Sequence, residues 1–401
     1  MNIAVIGAGA VGVFAAIQAK TNFPDSRVII FEKTSKVLSK VKISGGGRCN
    51  VTNGCTSVKS LVAGYPRGSK MLKKLFKEFN NTHTQTWFES RGVALKTEKD
   101  NRVFPISDDS QTIIECLLSE VKKLNIELRL SRNVQNLVPH GGKIQLHFTK
   151  EVLSFDKVIV ATGGSPKRIG LEWLAMLGHS IETPVPSLFT FNMPDEKIVS
   201  LMGVVAENVR VTVPSSSFHS DGPLLITHWG MSGPAILKLS ALAARYLAAQ
   251  QYSYILAVNW INTTNQEAVN NHLNSLAADN PKKLVSNSRP YGLPERLWLF
   301  LLQKSHVPKS KKWEDLGKKA INKLTHILTN DTYTVRGKTT FKEEFVTCGG
   351  IALESINKKS LESLHCKNLY FAGEILDIDG ITGGYNFQAA WTTGFIAGKL
   401  D

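Results

Sequence analysis

The stretch Asn2-Ile3-Ala4-Val5-Ile6-Gly7-Ala8-Gly9-Ala10-Val11-Gly12, continuing into Val13-Phe14-Ala15-Ala16-Ile17, passes from an apolar run through a glycine-rich turn into a second apolar run. That order predicts strand, tight turn, helix. A further apolar run, Val28-Ile29-Ile30-Phe31, ends in Glu32, twenty residues past the third glycine, the spacing of an acid that accepts a hydrogen bond from a ribose hydroxyl. Gly7 permits the sharp turn, Gly9 lets the backbone approach a pyrophosphate, and Gly12 lets helix and strand pack closely. The free amides and positive dipole end of the helix then face the phosphates. A carboxylate at position 32 would repel a 2′-phosphate. The pattern predicts a Rossmann-type dinucleotide site.

At 401 residues the chain is long for one domain, since roughly 100–200 residues per domain is usual. A hydrophobic content of 42% allows proper cores. No apolar run approaches the ~20 residues of a membrane span, and the first residues read as a strand and not as a signal peptide, so a cytoplasmic protein is expected. The five cysteines, Cys49, Cys55, Cys116, Cys348 and Cys366, show no metal-ligand spacing, and their odd number fits a reducing compartment.

The net charge is +15, and its distribution is uneven. Residues 280–342 carry fourteen bases against four acids. In a second focus Lys70, Lys73, Lys74 and Lys77 share one face of a predicted helix over 69–79, with Leu72, Leu75, Phe76 and Phe79 on the other. Such faces either solvate the protein or bind a polyanion, RNA among them.

After the second strand comes Ser44-Gly45-Gly46-Gly47-Arg48-Cys49-Asn50-Val51-Thr52-Asn53. Three successive glycines predict a loop with backbone amides free to lie against a ligand. Together with the N-terminal motif, this segment resembles the YhiN/BaiN-type family of FAD-binding flavoproteins, also labelled aminoacetone-oxidase-like. Three later segments extend the resemblance along the chain: Arg102-Val103-Phe104-Pro105, Thr227-His228-Trp229-Gly230-Met231-Ser232-Gly233-Pro234, and the C-terminal run from Gly373-Glu374 to Gly383-Gly384-Tyr385-Asn386.

The resemblance implies one FAD clasped by both chain ends. Gly7, Gly9, Gly12, Glu32 and Lys33 would serve its adenosine and pyrophosphate half, with Val134 near the adenine. Ala161, Thr162 and Gly163, at the end of a predicted strand over 157–161, would pass beside the dinucleotide. Ser44, Gly45, Gly46, Arg48, Cys49 and Asn50 would border the flavin. Gly373 and Glu374 would meet the ribityl-phosphate side, and Gly383, Gly384, Tyr385 and Asn386 would approach the ring. A helix N-terminus at that point favours an anionic reduced flavin. Cys49 has two readings, packing residue or redox and proton-donating thiol; His228 likewise is a turn residue or an acid/base.

The fold expected is α/β: a Rossmann-type FAD domain over 1–190 and 341–401, an inserted β-rich, barrel-like domain over 191–262 and 329–340, and an inserted basic helical domain over 263–328. In that last stretch helices are predicted at 266–278, 294–302 and 313–328. No second nucleotide fingerprint occurs, so NAD(P)H would visit only as a transient reductant. Three functions follow: hydride delivery to uridine in ribosomal RNA, to which the resemblance points; oxidation or reduction of a small amine or enone; or RNA docking by a flavin-bearing protein without turnover.

Overall fold

The first strand runs Asn2–Ile6 and is flanked on both sides by parallel neighbours, Ile3 lying beside Val28 on one side and Lys157 on the other. We describe residues 1–214, 216–340 and 346–401 of a computed structural model; Lys342 of the basic stretch and the expected boundary at 341 lie outside the described residues. The parallel sheet has five strands, in the order Leu369–Phe371, Lys157–Val160, Asn2–Ile6, Arg27–Phe31, Glu127–Arg129. Strands covered on both faces must be apolar throughout, and Ile3, Ala4, Val5, Val28, Ile29 and Ile30 are buried. The chain's last strand thus joins its first sheet.

The first helix, Ala10–Asn22, packs on the last, Tyr385–Ala397. Small residues make the approach close: a side chain on Gly394 would meet the Val11 carbonyl oxygen at 3.0 Å. Phe14 and Trp391 meet across the gap with ring centroids 5.4 Å apart and planes tilted by 57°. Strand Ile181–Ser187 pairs antiparallel with Val346–Ile351, carrying the returning chain back to the sheet.

A further strand runs Asn136–His140. It pairs with Lys143–His147 through Gly141 and Gly142, both left-handed, as a two-residue hairpin requires.

By contact the chain forms two compact units, Met1–Ser187 with Phe341–Asp401, and Leu188–Thr340. The second unit holds a seven-stranded sheet with antiparallel pairings, in the order Asp331–Arg336, Ser253–Asn259, Val205–Thr212, His219–Thr227, Gly230–Ser232, Thr190–Asn192, Lys338–Thr339. Helices Gln266–Asp279, Glu295–Lys304 and Lys318–Asn330 bury Leu273, Trp298 and Leu324 in the same core as the sheet's Val211, Leu256 and Val258. The basic helical stretch and the β-rich stretches therefore share one core.

The helix predicted from 313 starts only at Lys318. Trp313–Asp315 is a separate 3-10 turn, because the Trp313 ring is buried with its indole N–H donating to Ser288 Oγ at 2.9 Å, and Gly317 caps the helix proper. Among the described residues no helix is long and apolar enough to cross a membrane.

The tightest constraint is at Gly12, where a side-chain carbon would lie 1.9 Å from the Gly7 carbonyl oxygen. We predict that Gly12→Ala lowers stability by about 3 kcal/mol, the upper end of overpacking costs. Urea unfolding of the first unit measures this as a lower midpoint. An unchanged midpoint would refute the packing role.

Candidate cofactor site

The turn after the first strand is fixed from below. Gly7 has φ +108°, its N–H donates to the Phe31 carbonyl at 2.7 Å, and a side chain there would strike the Ala161 carbonyl oxygen at 2.5 Å. Gly9 is the opposite case: nothing lies within 4 Å of where its Cβ would be. The helix begins at Ala10 with no side-chain cap, so its first-turn amides are the unpaired donors of any helix start. An open cradle above orphan amides is what a diphosphate needs.

Glu32 anchors the same turn. Its carboxylate accepts from the Ala8 N–H at 2.9 Å and from the Thr34 N–H and hydroxyl, each at 2.9 Å. It is half-buried, with lone pairs left for a ribose hydroxyl, while Lys33 beside it is exposed. Val134 packs, half-buried, at the edge of the main core.

On the other side of the turn, Ala161 is buried, Thr162 is exposed and Gly163 is left-handed. Glu374 approaches from the C-terminal segment. Its carboxylate accepts the Thr347 N–H at 2.7 Å and pairs with Lys40 Nζ at 2.9 Å. A side chain on Gly164 would lie 2.4 Å from Thr347 Oγ1 and 2.7 Å from the Glu374 carboxylate. Thr347 Oγ1 is itself fully buried and has no hydrogen-bond partner among the described residues. Gly373 has a packing reason to be glycine: φ is +77° and a side chain would press on Val11 at 2.8 Å.

In the triple-glycine loop Gly45, Gly46 and Gly47 are all left-handed, with φ of 60°, 70° and 86°. Gly46 and Gly47 face open space, whereas Gly45 lies against Phe104 and the Asn50 amide. Ser44 donates to the Val41 carbonyl at 2.9 Å, closing the preceding turn. The Arg48 side chain turns to an ion cluster, pairing with Glu98 at 2.7 Å and Asp108 at 3.3 Å, its guanidinium 3.9 Å over the Phe104 ring. Lys96 and Arg48 hold Asp108 below the usual carboxylate range. Arg48 thus clamps the loop from behind.

Cys49 is fully buried, and burial pushes its thiol up to about 12, so it is protonated at neutral pH. Its N–H donates to the Ser44 carbonyl at 2.9 Å. The Asn50 carboxamide donates to the Thr52 carbonyl at 3.0 Å and accepts the Gly384 N–H at 2.8 Å. Asn53 donates to the Gly383 carbonyl at 2.9 Å. Below them the buried Gln388 accepts from the hydroxyls of Thr52 and Thr84 at 2.5 and 2.9 Å and donates to Thr392 at 3.0 Å. The loop and the last helix are sewn together.

The segment that opens this helix is equally fixed. Asn386 brackets Gly380, its oxygen accepting the N–H and its nitrogen donating to the carbonyl, each at 2.9 Å. The Tyr385 ring is half-buried, edge-on to Tyr65 at 5.7 Å, and the Tyr65 hydroxyl donates to its carbonyl at 2.6 Å. The side chains of Arg48, Cys49, Asn50 and Asn386 are therefore engaged within the protein, while Gly9, Gly46 and Gly47 have open space where a side chain would stand. His228 lies in the second unit, exposed on the turn between two strands, its ring edge-on to Trp229 at 4.4 Å.

Sequence reasoning missed Lys40, Thr347 and a buried ion pair. Asp379, wholly buried, accepts from Arg67 Nε at 2.5 Å, from Arg67 Nη2 and from the Ser187 hydroxyl at 2.7 Å. The available signal was an acid embedded in the apolar run Ile375-Leu376-Asp377-Ile378-Asp379. Burial pushes Asp379 above the usual aspartate range, with Arg67 and Ser187 pulling the other way.

A family model described as the HI0933-like protein Rossmann domain matches residues 1–400. The chain is 25% identical over 409 residues to the 3-dehydro-bile acid delta(4,6)-reductase of Clostridium scindens, covering 99% of this chain and 98% of that one. It is 27% identical over 408 residues to the ribosomal RNA dihydrouridine synthase of Escherichia coli, covering 97% and 95%. Among solved structures it resembles the 3-ketosteroid delta1-dehydrogenase of Sterolibacterium denitrificans, with a TM-score of 0.52 at 13% identity over 99% of this chain and 98% of that one, a likeness of fold alone.

Removing Arg67 would leave a buried carboxylate without its cation, which costs about 3–5 kcal/mol. A folded-state value above the unfolded one means stability is fully present at low pH and is lost as pH rises through the folded value. Arg67→Ala raises that value further. Its destabilisation relative to the parent should therefore be larger near pH 7 than at a lower pH where Asp379 takes up its proton. Denaturant melts at both pH values measure this, and an equal cost at both would contradict an ionised Asp379.

Proposed function

Because the chain belongs to the HI0933-like Rossmann family of FAD-dependent oxidoreductases, we propose that it saturates a carbon–carbon double bond conjugated to a carbonyl, with uridine in ribosomal RNA as the substrate and dihydrouridine as the product. Both relatives carry names for reductions of this class, one of a 3-dehydro-bile acid and one of ribosomal RNA. The observation that favours RNA is charge. Lys70, Lys73, Lys74 and Lys77 are all exposed on one side of helix Ser69–Leu75 and the turn after it, while Met71, Leu72, Leu75 and Phe76 are buried on the other. The stretch 280–342 adds ten more net positive charges. A sterol-sized acid needs no such surface; a polyphosphate backbone does. An RNA substrate also places the work in the cytoplasm.

FAD, when bound, supplies the two-electron hydride chemistry, with NAD(P)H as its transient reductant. The residues that would hold it are Gly9 with the amides of the first helix turn, Glu32, Thr162 and Gly163, Glu374 with Lys40 and Thr347, and the backbone of Gly46, Gly47, Gly383 and Gly384. The last helix presents its N-terminus at Tyr385, where its dipole favours developing negative charge.

Saturating a uracil ring adds a hydride equivalent at one carbon and a proton at the next. Cys49 is protonated but sealed beneath its loop, so we assign it to packing and not to that proton.

The second reading, reduction of a small enone, takes its support from the Clostridium scindens relative. An anaerobic experiment separates the two. The holoprotein is reduced with NADPH, and the flavin absorbance is followed on adding ribosomal RNA transcribed without modified bases. RNA should reoxidise the flavin and gain dihydrouridine by mass spectrometry, at a rate that falls steeply with salt. No response to RNA together with reoxidation by an unsaturated 3-ketosteroid would overturn the RNA reading in favour of the small molecule.

A further inference from the structure

The second unit brings together two groups of lysines that are distant in sequence. Leu284 and Lys312 form an antiparallel bridge, the Val285 N–H donates to the Lys311 carbonyl at 2.9 Å, and the Trp313 N–H donates to the Lys283 carbonyl at 3.1 Å. Ser286 Oγ donates to the Lys309 carbonyl at 2.8 Å. Lys282 and Lys283 thereby stand beside Lys309, Lys311 and Lys312, all exposed except the half-buried Lys311. Acids close by in the chain are Glu314, 3.6 Å from Lys312, Asp315 and the exposed Asp279.

This knob is rigid at its base. The Trp298 indole N–H donates to the Val285 carbonyl at 3.0 Å and that of Trp313 to Ser288 Oγ at 2.9 Å, both rings being buried. Three residues beyond Ser288, past the exposed Arg289, the chain presents Tyr291.

Tyr291 is 41% exposed and left-handed, with φ 62° and ψ 16°. Glycine or asparagine would hold that backbone with less strain. Its ring is backed by His272 at 5.1 Å, tilted by 57°. A part-exposed aromatic ring three residues along the chain from the base of a lysine cluster is an arrangement that can stack an unpaired base while cations take the phosphates.

We infer that Tyr291, backed by His272 and set in this lysine knob, is a nucleobase-stacking platform that docks single-stranded RNA. The choice of RNA rests on the proposed function; the platform itself rests on the geometry above.

The test uses the full-length holoprotein and fluorescence anisotropy with a uridine-rich single strand of about twelve nucleotides, against a blunt duplex of equal length. Tyr291→Ala should weaken single-strand binding about tenfold, the scale of one base stack, and leave the slope of affinity against salt unchanged because no charge is lost. Tyr291→Phe should bind like the parent. Tyr291→Gly, which relaxes the backbone, should lose affinity with an unchanged or higher thermal midpoint. Duplex binding should respond to none of the three.

The inference is overturned if the Ala and Gly variants bind as tightly as the parent, if Phe loses as much as Ala, or if duplex binding falls equally. A parent that binds RNA through Tyr291 without reducing it would sink the proposed function and leave the platform standing. A parent that reduces RNA while Tyr291→Ala binds normally would do the reverse.

Discussion

A side chain at position 12 would sit 1.9 Å from a backbone oxygen of the preceding turn, and the architecture of the first unit follows from that proximity. With the helix this close to the strand end, its unpaired amides cluster over Gly9, and the turn rests on Ala161 from the neighbouring strand. Moving the helix outward by even an ångström would separate amides, Glu32 and the strand end from one another. Close packing transmits such shifts, since interiors leave little room to absorb them.

The second organising feature is the return of the chain. The last helix packs against the first, its Gln388 gathers hydroxyls from two distant elements, and the Gly384 amide donates to Asn50 of the triple-glycine loop. Each contact uses a polar group that would be costly to bury alone. The consequence is that three segments far apart in sequence, 7–12, 44–50 and 373–386, meet: Gly373 packs on Val11, and Asn50 accepts the Gly384 N–H.

The glycine motif, its acid and the flanking strands were legible because each depends on local backbone geometry that only certain residues satisfy. So was the lysine face at 70–77, because helical periodicity separates it from its buried partner face. Arg67 and Asp379 were not, being 312 residues apart with nothing local to tie them. The resemblance set Arg48 beside the flavin; what no local pattern announces is that its side chain pairs with Glu98 and Asp108. The basic helices read as a separate body because periodicity reveals an apolar face but not whose core it enters, and here it enters the sheet's. Trp313 shortened its helix through one indole hydrogen bond to Ser288 that no sequence pattern announces.

The central claim is that one FAD is clasped by the N-terminal turn, the triple-glycine loop and the C-terminal turn at once. Amide hydrogen exchange of the apoprotein, with and without added FAD, tests it most directly, because it reports on each segment separately. Segments 7–12, 44–50 and 373–386 should gain protection together, saturating at one FAD per chain. Protection confined to the N-terminal turn, or saturation at different FAD concentrations for the three segments, would contradict it.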